Sequence, residues 1–157
     1  GLTNVKVALG AIASAKSLFA SRGDNSGTHK KEKSLWQAAG IVPTTASGSW
    51  YRETGSGMGT TLNTAIGMAS YTLTDRATWV AFKNKHDFKI HVEGDKALIN
   101  RYSIILVNPV KCPAVKAIAG QQLIDWLSSP KGQTAIGNFR NKGQRLFVPN
   151  VVINSGL

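Results

Sequence analysis

At 157 residues, with 42% hydrophobic and 17% charged side chains, the chain has the size and composition of one globular domain with an appendage. No apolar run approaches a membrane span, and Lys6, Ser14 and Lys16 break up the apolar N-terminal stretch, so it does not read as a signal peptide. The net charge of +11 invites a nucleic-acid reading, but the basic residues are scattered, without an aromatic RNA-binding motif or a helix-turn-helix, so what remains is a positive field that draws small anions.

In chain order, periodicity predicts a helix over 3–15, a short buried strand over 17–21, a helix over 28–39 and a strand over 50–53. A helix over 58–68, a strand over 71–73 and a helix over 75–84 with Thr74 as its N-cap follow. Strands are expected at 88–93 and 102–107, the latter a continuous apolar run, YSIILV. The chain then reads as helices over 115–127 and 131–138, the second with Pro130 in its first turn. The stretch 44–49 is expected as a polar loop, and the tail beyond Pro149 as loose. Strands alternating with helices imply an α/β fold: an open, mostly parallel, doubly wound sheet with helices on both faces.

Within that frame the segment Ser21-Arg22-Gly23-Asp24-Asn25-Ser26-Gly27-Thr28 joins a strand to a helix start. A helix beginning there leaves backbone N–H groups unpaired at the positive end of its dipole, where anions bind. Ser26 and Thr28 are natural N-caps with hydroxyl donors, and Gly23 and Gly27 allow turns and close approach. Arg22 supplies a planar fork for two oxygens of an oxyanion. Asp24 either pairs with Arg22 or accepts a proton from a protonated ligand; both roles stay open at this level. Taken singly, the same residue types also build ordinary turns. A second loop, Glu53 to Thr60, is Gly-rich and opens another helix, placing Ser56, Gly57 and Met58 as further ligand candidates.

Nothing points to catalysis: Glu53 and Asp75 are not paired as acid and base, and there is no Ser-His-Asp order or nucleophile elbow. Cys112 is the only cysteine, and His29, His86 and His91 lack metal-site spacing, so neither metal nor cofactor is expected. Arg76 reads either as an anion contact or as the partner of a nearby carboxylate, and the four tryptophans as packing.

The blocks SRGDNSGTHKKEKSLWQAAGI, WYRETGSGMGTTLN, YTLTDRATW, VEGDKALINRYSIILVNP and IDWLSSPKGQTAIGNFRNKGQRLFVPN resemble, in collinear order, the second half of the tungstate-binding components of ABC transporters. The RxDxSGT pattern of Arg22, Asp24, Ser26, Gly27 and Thr28 is also similar to the anion loop of phosphate-binding proteins. The resemblance implies a type II periplasmic-binding-protein lobe in the periplasm or another extracytoplasmic space, with an ABC-transporter permease as partner. It implies that two such lobes close over tungstate, molybdate or a similar dianion, with Arg22 and Thr28 as ligands and Ser26 and Gly27 beside them. Residues 1–107 would form the second lobe and 108–157 the hinge return and C-terminal helices, which pack toward a first lobe absent from this chain. With no initiator Met, the chain reads as a mature or excised segment. Two alternatives are a phosphate- or sulfate-type binder and the effector domain of a transcription regulator with the same lobe fold.

Overall fold

The computed structural model describes residues 2–150, which fall into two compact units divided between Asn100 and Arg101. In the first, α1 (Val5–Ser14), β1 (Phe19–Ser21), α2 (Gly27–Ala38), β2 (Tyr51–Glu53), α3 (Met58–Gly67), β3 (Tyr71–Thr72) and α4 (Arg76–Ala81) alternate as expected. Asn4 caps α1, its side chain accepting from the Lys6 and Val7 amides, and Asp95 accepts from the Val5 amide at 2.8 Å. The polar loop expected at 44–49 contains a single 3-10 turn, Pro43–Ala46.

The sheet has three strands in the order β2-β1-β3, all parallel, with Phe19 opposite both Tyr51 and Tyr71. Alternation along β1 puts Phe19 and Ser21 on one face and Ala20 on the other. On the first face Phe19 meets Trp36 of α2 edge-on, with ring centroids 5.1 Å apart, and stacks on Tyr51. Val5 and Leu9 of α1 and Leu35 of α2 complete this core. The other face is covered by α3, which packs on β1 and β3 and buries Leu62 and Ala65. Each inter-strand connection carries one helix, the arrangement that parallel strands require.

Three expectations fail. No strand forms over 88–93, where bends and turns carry one isolated bridge from Val92 to Leu2. The helix expected over 75–84 stops at Ala81, because Phe82 is extended, and its N-cap is Asp75, which accepts from the Thr78 amide at 2.8 Å, not Thr74. The YSIILV run is irregular, and Tyr102 and Ile105 are exposed. Its composition suits a buried strand, but no strand pairs with it among the described residues, and an unpaired strand leaves its backbone groups to water.

In the second unit α5 (Ala117–Ser128) packs on α6 (Pro130–Asn138), whose first residue is the expected proline and whose cap is Ser129. An unexpected antiparallel hairpin follows, β4 (Arg140–Asn141) with β5 (Gln144–Arg145). Lys142 and Gly143 both adopt positive φ, as a two-residue hairpin turn demands. Of the tail expected to be loose, residues 151–157 lie outside the described residues.

Candidate functional site

The first loop leaves the C-terminal end of the central strand and turns sharply at Gly23 (φ 62°) and Asn25 (φ 60°) before α2 begins. Gly23 is required on two counts: its φ is left-handed, and a Cβ there would lie 2.9 Å from the Cβ of Glu53. Ser26 is the N-cap, its hydroxyl accepting from the His29 amide at 3.3 Å. The Asn25 amide donates to His29 Nδ1 at 3.0 Å, which leaves the neutral ring's own N–H on Nε2.

Asp24 and Arg22 are paired. One Asp24 oxygen accepts from Arg22 Nη2 at 2.5 Å and the other from the Ser26 amide at 3.2 Å. Hydrogen bonds from Ser26, together with Arg22, outweigh desolvation and hold the Asp24 carboxyl below its ordinary 3.8. Of the two roles open for Asp24, the geometry supplies the first.

The amides of Asn25, Ser26, His29 and Lys30 are thus used by the protein. Those of Gly27 and Thr28, and the Thr28 hydroxyl, have no partner among the described residues. Space stands open above Gly27, where a Cβ would meet nothing within 4 Å. Arg22 Nε is buried and makes no hydrogen bond, the sole such side-chain atom among the described residues. A buried guanidinium N–H without an acceptor is costly, and an oxyanion placed there would satisfy it.

The second loop is tied to the first. Thr54 N–H donates to the Ser21 carbonyl at 2.9 Å, and the Arg22 carbonyl accepts from the Ser56 amide at 3.1 Å and the Thr54 hydroxyl at 3.3 Å. The hydroxyls of Thr54, Ser56 and Thr61 bond to one another at 2.9–3.3 Å. Beyond them Gly57 caps α3 without a side chain, and the amides of Met58, Gly59 and Thr60 are unpaired among the described residues. Because β1 and β2 are adjacent and parallel, both helix N-termini open at the same edge of the sheet.

Not every residue expected at the site presents its side chain. Ser21 is fully buried, and its hydroxyl donates to Glu32 at 2.9 Å. The Ser56 hydroxyl is spent on Thr54. Arg76 pairs with Glu93 at 2.5 Å, the carboxylate-partner reading. Glu32, absent from the expected set, lies 3% exposed beneath the loop. The signal for it was helical phase: Glu32 shares a face with His29, Leu35 and Trp36. Among the described residues no group of three or more His, Cys, Asp or Glu could hold a metal ion, and no helix is long and apolar enough to cross a membrane.

A parallel α/β lobe with two helix N-termini gathered at one sheet edge has the build of a ligand-binding lobe. The chain belongs to the PBP superfamily, whose domain matches residues 4–131. It is 42% identical over 157 residues to a putative ABC transporter anion-binding protein of Haloferax volcanii, covering 97% of this chain and 45% of that one. The tungstate-binding protein TupA of Peptoclostridium acidaminophilum is 41% identical over 145 residues, covering 91% of this chain and 50% of its own length. Among solved structures, tungstate-binding TupA from Desulfovibrio alaskensis superposes with a TM-score of 0.79 at 46% identity, over 96% of this chain and 61% of that one. The chain spans about half the length of the curated relatives it matches.

Proposed function

We propose that the chain is the oxyanion-binding lobe of an extracytoplasmic solute-binding protein that captures tungstate, or a tetrahedral dianion of similar charge, for an ABC-transporter permease. The observation carrying this reading is the free donor set: the unpaired Gly27 and Thr28 amides and Thr28 hydroxyl on the loop of Arg22, whose Nε lacks an acceptor. Two relatives named as tungstate-binding proteins support the choice of tungstate.

In this reading Arg22 places its permanent charge against the dianion while Asp24 fixes the fork from behind. Gly27 and Thr28 donate their amides, and the N-termini of α2 and α3 add the positive ends of their dipoles. Residues 1–107 serve as one lobe and 108–157 as hinge return and C-terminal helices, with the opposing lobe lying outside this chain. The protein acts by binding and release, without chemical turnover.

Titration calorimetry with tungstate, molybdate, sulfate and phosphate tests the assignment. Heat of binding is expected for tungstate and molybdate and is expected to vanish in Arg22→Ala. Equal binding of all four ions, or binding indifferent to Arg22, refutes a defined tungstate site.

A further inference from the structure

Beneath the anion loop, Glu32 accepts hydrogen bonds from the Ser21 hydroxyl at 2.9 Å, the Tyr51 hydroxyl at 2.7 Å and Trp36 Nε1 at 3.2 Å. The three donors come from three elements. Ser21 ends β1 immediately before Arg22, Tyr51 opens the strand that feeds the second loop, and Trp36 lies one turn further along α2. All three are neutral, and neither salt bridge of the described residues involves Glu32. Burying a carboxyl group without a cation is unfavourable, and a core apolar at all four positions would avoid that cost. What an apolar side chain cannot do is fix three elements in one geometry.

We propose that Glu32 is a positioning residue for the oxyanion site: through Ser21 it holds Arg22, and through Tyr51 it holds the strand of the second loop, in register with the N-terminus of α2. This rests on the site reading above and deepens it. Glu32 does not touch the ligand. It acts through the strand ends from which both ligand loops issue, and the second loop hangs on the Ser21 and Arg22 carbonyls at the start of the first.

The test compares Glu32→Leu, Glu32→Gln and Ser21→Ala with the unaltered protein, reading amide hydrogen exchange over residues 22–28, the urea midpoint and tungstate affinity. Hydrogen bonds to a charged group are worth about 1.5–3 kcal/mol, or about tenfold to a hundredfold. In Glu32→Leu, which leaves the buried Ser21, Tyr51 and Trp36 donors without an acceptor, the urea midpoint is expected to fall, exchange over 22–28 to quicken by about tenfold or more beyond what that fall accounts for, and tungstate affinity to drop by a similar factor. Glu32→Gln keeps an acceptor for Tyr51 and Trp36, so it should restore most of both. Should Glu32→Leu fail to fold, Ser21→Ala still reads the link to Arg22 alone and is expected to loosen the same amides. Loop exchange and affinity unchanged in a folded Glu32→Leu or in Ser21→Ala overturn the proposal, as does a loss that merely follows the urea midpoint. If the unaltered protein binds no tungstate yet the loop still loosens, the site reading falls and the positioning of the loop stands.

Discussion

Arg22 is the residue on which the site turns. It carries the only formal positive charge in the loop from 21 to 28, and its Nε is buried without an acceptor. Replacing it with alanine is expected to weaken tungstate binding by more than about a hundredfold, since at least two charge-assisted bonds disappear. Arg22→Lys should recover only part, because an ammonium cannot reproduce the planar fork. Lys31→Ala, which removes an equal charge from a half-exposed position on α2, serves as the control and should change affinity less than about twofold. Equal effects at 22 and 31 would point to a diffuse field. Asp24 and Glu32 titrate in opposite senses. The Asp24 carboxyl is lowered, so its hold on Arg22 is complete above its ordinary 3.8 and is lost only as pH falls through the depressed value; across the neutral range, affinity should not follow its titration. Burial raises the Glu32 carboxyl against the hydrogen bonds from Tyr51, Ser21 and Trp36, with the charge of Glu53 adding to the rise. The fold therefore holds a proton on Glu32 more readily than the unfolded chain does. Its contribution to stability is full below its ordinary 4.5 and fades as pH rises through the raised value. Urea midpoints taken from about pH 4 to 8 should show that decline in the unaltered protein and a flatter line in Glu32→Gln. The Ser26 cap was legible in the sequence because it closes within three residues, and the Arg22–Asp24 pair stood there as one of two readings. Glu32 was marked by its helical phase alone: flanked by Lys31 and Lys33 it looks like one more charge on a wet helix, and its partners Ser21 and Tyr51 become neighbours only through parallel pairing of β1 and β2.

The same division between local and distant contacts governs the elements. From α1 to β3 each predicted element forms with its ends moved by a residue or two, because each carries its own periodicity and its own cap or turn. Phe88 to Glu93 and Tyr102 to Val107 show strand composition without strand structure. A strand exists only when another lies beside it, and composition says nothing about the neighbour. The hairpin at 140–145 escaped notice for the converse reason: its strands are two residues long, too short to show alternation, and its turn is Lys142-Gly143 where Asn-Gly or Asp-Gly would have signalled it. Gly23 is where an element-level prediction is sharpest. Alanine there must adopt a left-handed φ, costing about 1–2 kcal/mol, and must also displace Glu53 at the end of β2. Gly23→Ala is therefore expected to lower the urea midpoint and weaken tungstate binding together. Gly27→Ala, with an ordinary φ and open space at its Cβ, should leave the unfolding free energy within about 0.5 kcal/mol of the original while crowding the ligand. If the two glycines behave alike, the loop is more plastic than its hydrogen bonds imply.

For the whole molecule, the decisive quantity is how much of a dianion one lobe can satisfy. In the proposed site the free donors of the first loop, from Arg22, Gly27 and Thr28, would make about four charge-assisted bonds at about 1.5–3 kcal/mol each, while immobilising a ligand costs about 4–15 kcal/mol. The two are of the same order, so little net affinity remains for one lobe. The positive field set by a net charge of +11 raises the local concentration of anions and speeds their arrival, but salt screens it, and it does not discriminate among dianions. Tight binding and sharper discrimination then require donors from an opposing surface that also shuts out water. The chain as it stands is accordingly expected to bind tungstate no tighter than micromolar, with an affinity that falls several-fold when ionic strength rises from about 0.05 to 0.5 M. Joined to the half that its longer relatives carry in addition, it should gain orders of magnitude and lose most of that salt dependence, because the charges that matter become buried. Calorimetric titrations of both forms across that salt range decide the matter: submicromolar binding by the chain alone would show that this lobe completes the ligand shell by itself, and that the bonds counted above undervalue the loop.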